Sequence, residues 1–218
     1  MNAEHRMFGR RFLIPFALAL CVAGCSDDVS GPSAPTVLAP LAQTVAGPQI
    51  HILQQRSSAP KLQAYKVSFW AYQGKPTTIT VAYKPAAGRS AGAPFLLFYV
   101  PRNGLVAGGG GSILDRGDSV AITLTIDPLA FSVDFQPSGV LFSERSPALL
   151  ALYYENANPD LNGNGVVDGY DRKLEAQLAI WTSTSTTSGW SKLLSANDTT
   201  RTVVASPLAH FSQYAVSW

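Results

Sequence analysis

Cysteine is nearly missing from this sequence: two residues in 218, Cys21 and Cys25, both close to the N-terminus. The rest of the chain has no thiol for a disulfide framework or a thiolate metal site, so its stability must come from a buried core. Charge is scarce too, at 14% of residues. Of the 16 basic and 14 acidic residues, Arg6, Arg10, Arg11 and Glu4 fall within the first 24, which leaves 13 of each sign beyond them. That balance offers no basic stripe for nucleic acid and no polybasic patch for an anionic membrane. No apolar run reaches the roughly 20 residues that a membrane-crossing helix needs. Internal repeats are absent. Ser138 and Ser212 lack the Gly-x-Ser-x-Gly setting of a hydrolase elbow. The glycines at 108–111 precede no helix and no Lys-Ser/Thr pair, so they form no phosphate cradle.

The first 25 residues read as a processing segment and are set aside from the fold. Three arginines precede an uncharged run at 12–24, and Val22-Ala23-Gly24 leads directly into Cys25. Small side chains before a cut let the backbone enter a peptidase, and a thiol after it can carry an acyl group. This stretch resembles the bacterial lipobox, although Val22 stands where Leu is commoner. The resemblance implies cleavage before Cys25, lipidation of Cys25 and a membrane partner reached through that lipid. The other reading is an ordinary secretory peptide that ends in Cys. Ser26 at the next position implies, by the rule of enterobacterial lipoproteins, sorting to the outer membrane; Asp27 comes one place too late to favour retention. Residues 26–48 are rich in Ser, Pro, Gly and Ala, a composition that cannot offset chain entropy by burial and so predicts a flexible tether. The organisation expected is a signal peptide at 1–24, a tether at 25–48 and one domain at 49–218.

Within that domain the strongest signal has period two. Val120, Ile122, Leu124 and Ile126 alternate with Ala121, Thr123 and Thr125. Similar alternation covers 65–71, 78–83 and 131–135, and strands are also expected at 178–184, 202–206 and 213–218. Such spacing puts one row of side chains into a core and the next into water. The apolar runs at 95–100 and 149–154 predict strands buried on both faces. Turn formers lie between them at 73–76, 108–111, 115–118, 136–139 and 186–189. Many short strands with regular turns predict an all-β fold, an antiparallel sandwich or barrel.

The C-terminal half runs through Gly139-Val140-Leu141-Phe142, the strand at 148–154, Ile180-Trp181, Trp190-Ser191-Lys192-Leu193 and finally Ala209-His210-Phe211-Ser212-Gln213-Tyr214-Ala215-Val216. This order resembles the ZU-type β-sandwich domain first described in ankyrins and netrin receptors, over residues 139–218. The resemblance implies a structural or interaction module with no catalytic residues. His210 is expected at a corner, bonded to backbone, since no acid or nucleophile motif accompanies it.

One stretch has metal-ligand spacing. Asp160, Asn162 and Asn164 occupy positions 1, 3 and 5 of a twelve-residue loop; Gly165 sits at 6, Val166 offers its carbonyl at 7, Asp168 is at 9 and Asp171 at 12. Calcium takes six to eight hard oxygens, and this spacing wraps them around one ion. The loop resembles dockerin calcium loops, which end in Asp, more than calmodulin-type loops, which end in Glu. It departs from them in its flanks: a strand and Pro159 precede it instead of a helix, and there is one loop instead of two. Residues 171–177 predict about two turns of exiting helix. The plain alternative is an Asn/Gly/Asp-rich connection without an ion.

The functional expectation is a non-enzymatic lipoprotein of the cell envelope, with a sandwich that mediates interaction and holds calcium structurally. A second class is a carbohydrate-binding module, for which Trp70, Tyr72, Trp181, Trp190 and Trp218 would supply a sugar-stacking face; aromatic strand residues more often pack in cores or in cross-strand pairs. A third is a hydrolase with no recognisable motif. Asp115 with Asp118, and Asp127 with Asp134, fall at turns and strand ends where acids are ordinary.

Overall fold

Where alternation is uninterrupted, strands form. The computed structural model describes residues 50–183 and 189–218, within a compact unit that spans Thr44–Trp218. The segments expected as signal peptide and tether, with Cys25, lie outside the described residues, as does most of the turn expected at 186–189. The elements are β1 (Lys66–Tyr72), β2 (Thr77–Ala82), β3 (Pro94–Val100), β4 (Leu105–Ala107), β5 (Ser119–Ile126), β6 (Ser132–Gln136), β7 (Leu141–Phe142), β8 (Ala148–Tyr153), α1 (Gly169–Glu175), β9 (Ala179–Ser183), β10 (Trp190–Lys192), β11 (Ala196–Asp198), β12 (Val203–Leu208) and β13 (Gln213–Ser217).

A six-stranded sheet ordered β1-β5-β6-β13-β9-β10 packs on a five-stranded sheet ordered β11-β12-β8-β3-β2, and β4 with β7 makes a small separate ribbon. All of these pairings are antiparallel. The fold is the all-β antiparallel sandwich that the alternation predicted. Val120, Ile122, Leu124 and Ile126 are all buried, while Ala121 and Thr125 are exposed. The two sheets are joined by aromatic rings. Phe98 of β3 lies 4.8 Å from Phe135 of β6, and Phe135 stacks on Phe211 at 4.7 Å. Phe95 stacks on Phe131 at 5.3 Å.

Two features depart from the sequence reading. Strands β3 and β8 are not buried on both faces: Tyr99 is 36% and Leu149 37% exposed, side by side in the register. The run of β3 is continuously apolar partly because of a register shift against β2 at Val81 and Ala82, beside which both Phe95 and Leu96 are fully buried. A bulge of this kind lets two consecutive side chains serve one face. The chain ahead of β1 also adds to the sandwich. Leu53 donates its N–H to the Val216 carbonyl (2.8 Å) and accepts from Phe131 N–H (2.9 Å), so this short segment bridges β13 and the approach to β6.

Candidate calcium site

The loop expected to hold calcium connects β8 to α1, and its backbone is organised by its own side chains. Asp160 accepts from the N–H of Asn164 (3.1 Å) through one carboxylate oxygen and from Gly165 N–H (2.8 Å) through the other. Asn162 Oδ1 accepts from the same Asn164 N–H at 2.9 Å, and Asn164 Oδ1 accepts from Val166 N–H at 2.8 Å. Asp168 Oδ1 accepts from Tyr170 N–H at 2.7 Å. Each short polar side chain thus closes a turn two or more residues ahead, the usual local bonding of Asn and Asp. Gly163 and Gly165 have φ of +71° and +83°, the left-handed region in which a side chain would be strained.

Asp171 closes the ring. One of its oxygens accepts from Leu161 N–H (2.9 Å) and Asn162 N–H (3.2 Å), and the other from Asp168 N–H (2.8 Å). It is only 2% exposed. The Asp168 N–H, then those of Asn162 and Leu161, hold its carboxyl below the usual range against the opposing effect of burial. Asp168 is the N-cap of α1, with Asp171 at the third helical position completing a reciprocal capping box. This cap explains why the helix starts at Gly169, two residues before the start expected from sequence.

The structure therefore draws Asp160, Asn162, Asn164 and Asp171 into one backbone-bonded ring, with Asp168 at its exit and Val166 exposed at its tip. The donor chemistry suits calcium: hard oxygens, two of them amide, on turns that only glycine accommodates well. Among the described residues no three His, Cys, Asp or Glu side chains are grouped so as to hold a metal by themselves. Any ion here would need Asn162, Asn164 and the Val166 carbonyl beside the acids.

The base of the loop contains residues that spacing did not single out. Asn158 caps the entry by accepting from Asp160 N–H (3.2 Å), and its own N–H bonds to the Gln54 carbonyl (2.8 Å). A cleft of about 210 Å³ separates loop and sandwich, with Leu53, Leu161 and Leu178 on its walls and Glu155, Arg172 and Glu175 around them. Tyr154, also in that wall, donates its hydroxyl to Asn197 (3.0 Å), and burial pushes its ionisation upward.

The other candidates have plain structural partners. His210 Nδ1 lies 3.3 Å from the Phe211 carbonyl, and the Tyr214 hydroxyl donates to the His210 carbonyl. Asp118 and Asp127 accept from turn N–H groups at 2.9 and 2.8 Å. Ser212 donates to the Ser183 carbonyl. Trp70 is 58% exposed and Tyr72 37%, both pointing outward from β1. Trp181 and Trp190 are half-buried on β9 and β10 at the far edge of the same sheet, with Lys192 Nζ 5.9 Å from the Trp181 ring. Trp218 stacks on His51 at 5.5 Å. No protein-family model matches this chain, and neither does any curated protein or solved structure.

Proposed function

We propose that this chain is an envelope lipoprotein, anchored through Cys25, whose β-sandwich serves as an interaction module stiffened by one structural calcium ion. The observation that supports the calcium reading best is the ring of bonds between side chains and backbone at 160–171. Asp160, Asn162, Asn164 and Asp171 already curl the backbone with one set of lone pairs and keep others to offer a cation. A bound calcium would neutralise the repulsion among Asp160, Asp168 and Asp171 and add a cross-link between β8 and α1. Isolated extracellular loops of this kind bind weakly, with Kd of roughly 0.1 to 1 mM.

The test is thermal unfolding of residues 44–218, the compact unit with its own core, in chelator and in calcium. At a hundred times Kd, calcium should stabilise the fold by about 2.7 kcal/mol. Magnesium should do less, because its small octahedral shell suits the loop poorly. Asp160→Ala should remove the gain and leave the fold intact in chelator. No calcium-dependent shift and no heat on titration would leave 160–171 an ordinary polar loop. The anchor is tested in cells: a clickable palmitate analogue should label the wild type and not Cys25→Ala.

A glycan-binding role is the second reading, favoured by one observation: Trp70, Tyr72, Trp181 and Trp190 all occupy outward positions of one sheet. Five strand intervals at roughly 20 to 25° of twist each turn its two edges about 100° apart. The two aromatic pairs therefore address separate ligands, and quenching of tryptophan emission by soluble oligosaccharides, lost in Trp70→Ala, would identify the one on β1.

A further inference from the structure

The tip of the loop at 160–171 carries side chains that its own fold does not use. Val166, Val167 and Tyr170 are 59, 56 and 57% exposed, and no other five consecutive residues among those described expose three large apolar side chains. Val166 and Tyr170 enter the bonds of the loop only through their backbone N–H groups. Two cations stand beside them. Helical side chains tilt toward the N-terminus of their helix, so Arg172 and Lys173 of α1 lean back toward the tip. Lys173 follows Tyr170 by three residues and shares its side of the helix. The Arg172 guanidinium reaches to 3.6 Å from where a Cβ on Gly169 would stand, and Arg172 and Val167 line the same cleft. Among the described residues neither cation is in an ion pair.

The chain that leads from Cys25 joins the sandwich at this same place. The Gln54 carbonyl accepts from Asn158 N–H at 2.8 Å, and Gln55 bridges to Ala157, both at the base of the loop. Leu53 lines the cleft that Val167 also lines. We propose that this tip docks on an anionic phospholipid surface when calcium fills the loop, with Val166, Val167 and Tyr170 entering the interface and Arg172 and Lys173 meeting lipid phosphates. Apolar side chains beside a tyrosine and two long cations match the layers of a membrane boundary, hydrocarbon beneath and phosphate above. The anchor selects this partner: a lipid on Cys25 would draw toward the bilayer the side on which residues 50–55 enter, and that is the side of the loop. Calcium sets the sign of the charge. Around loop and cleft, Asp160, Asp168, Asp171, Glu155 and Glu175 face Arg56, Arg172 and Lys173. Five carboxylates against three cations repel an anionic surface; one bound calcium balances them and leaves both cations of α1 at the contact. This names a partner for the interaction module proposed above, and it rests on both the anchor and the calcium of that reading.

Vesicle pelleting of residues 44–218, which lack Cys25, tests it, with mixed phosphatidylglycerol and phosphatidylcholine vesicles in calcium and in chelator. Calcium should raise the bound fraction several-fold, and pure phosphatidylcholine should bind roughly tenfold less. Arg172→Gln and Lys173→Gln should each weaken binding by about fivefold. Val167→Ser combined with Tyr170→Ser should weaken it by about tenfold or more, because both lose apolar area at the contact. Ile113→Ser, at an exposed apolar residue away from the loop, should leave it unchanged. Asp160→Ala in calcium should bind no better than the wild type in chelator. The same calcium-dependent rise in melting temperature in the Arg172, Lys173 and Val167/Tyr170 variants should show that their loops still take the ion. A wild type whose melting responds to calcium but which does not pellet would overturn the docking and leave the calcium reading standing. No calcium effect on melting or on pelleting would overturn both. Pelleting that is equal in chelator, equal on pure phosphatidylcholine, or indifferent to Val167 and Tyr170 would overturn the docking as well.

Discussion

Ile122 is the sharpest place to perturb the sandwich. It is 1% exposed on β5, with Phe69 of β1 as its cross-strand partner, and Thr123 beside it points outward to bond Ser68 Oγ at 3.0 Å. Ile122→Ala removes buried methyl groups and leaves a cavity, at a cost of about 2 to 5 kcal/mol. At about 2 to 4 °C per kcal/mol for a domain of this size, the melting temperature should fall by roughly 10 °C. Ile122→Asp loses the same burial and adds a carboxyl with no partner. Its ionised form is costly enough that the group would hold its proton, so its folded pKa rises above the unfolded value near 3.9. The sign follows: a raised folded pKa means that the variant is least harmed below about pH 4 and is destabilised further as pH rises above it, at about 1.4 kcal/mol per unit. At neutral pH the total reaches the whole stability of an ordinary domain, and the variant should be unfolded. Thr123→Asp forfeits one exposed hydrogen bond, about 1 kcal/mol or less. Circular-dichroism melts of residues 44–218 at pH 4 and pH 7 separate these cases. Equal melting temperatures for Ile122→Asp and Thr123→Asp, or a pH dependence of opposite sign, would refute the assignment of faces.

Three further outcomes follow from local geometry. A Cβ on Gly92 would lie 1.8 Å from the Tyr83 carbonyl oxygen, so Gly92→Ala should force the loop before β3 outward and lower stability by about 2 kcal/mol or more in denaturant melts. Thr202 is held at φ +48°, a region that Asn tolerates far better than a β-branched residue, so Thr202→Asn should raise the melting temperature by about 2 to 4 °C. Because the folded state lowers the pKa of Asp171, its contribution is present above the unfolded carboxylate range and is lost as pH falls through the lowered folded value. Proton-binding difference curves between wild type and Asp171→Asn should therefore diverge only on the acid side, and a divergence near neutrality would contradict the bonding described.

Much of the architecture was legible in the chain. Val120, Ile122, Leu124 and Ile126 announce a half-buried strand because the side-chain period of a strand is two, whatever lies beside it. The spacing from Asp160 to Asp171 was equally legible, since the turns at Asp160, Asn162 and Asn164 are closed by bonds over two to five residues. Strands β4, β7, β10 and β11 run for only two or three residues, too short to display any period, and their pairing depends on partners far away in sequence.

By itself, the sequence determined a core without disulfides, the alternating strands and a self-bonded loop, all consequences of composition or of contacts between near neighbours. The tertiary structure decided the order β1-β5-β6-β13-β9-β10 against β11-β12-β8-β3-β2, the placing of Leu53 between β13 and β6, and the closure of the loop by Asp171 onto Leu161, ten residues back. It also decided what the apolar runs of β3 and β8 mean. An apolar residue is written identically whether it faces a core or an open surface, and only the packing of the second sheet puts Phe98 and Leu150 inside and leaves Tyr99 and Leu149 outside.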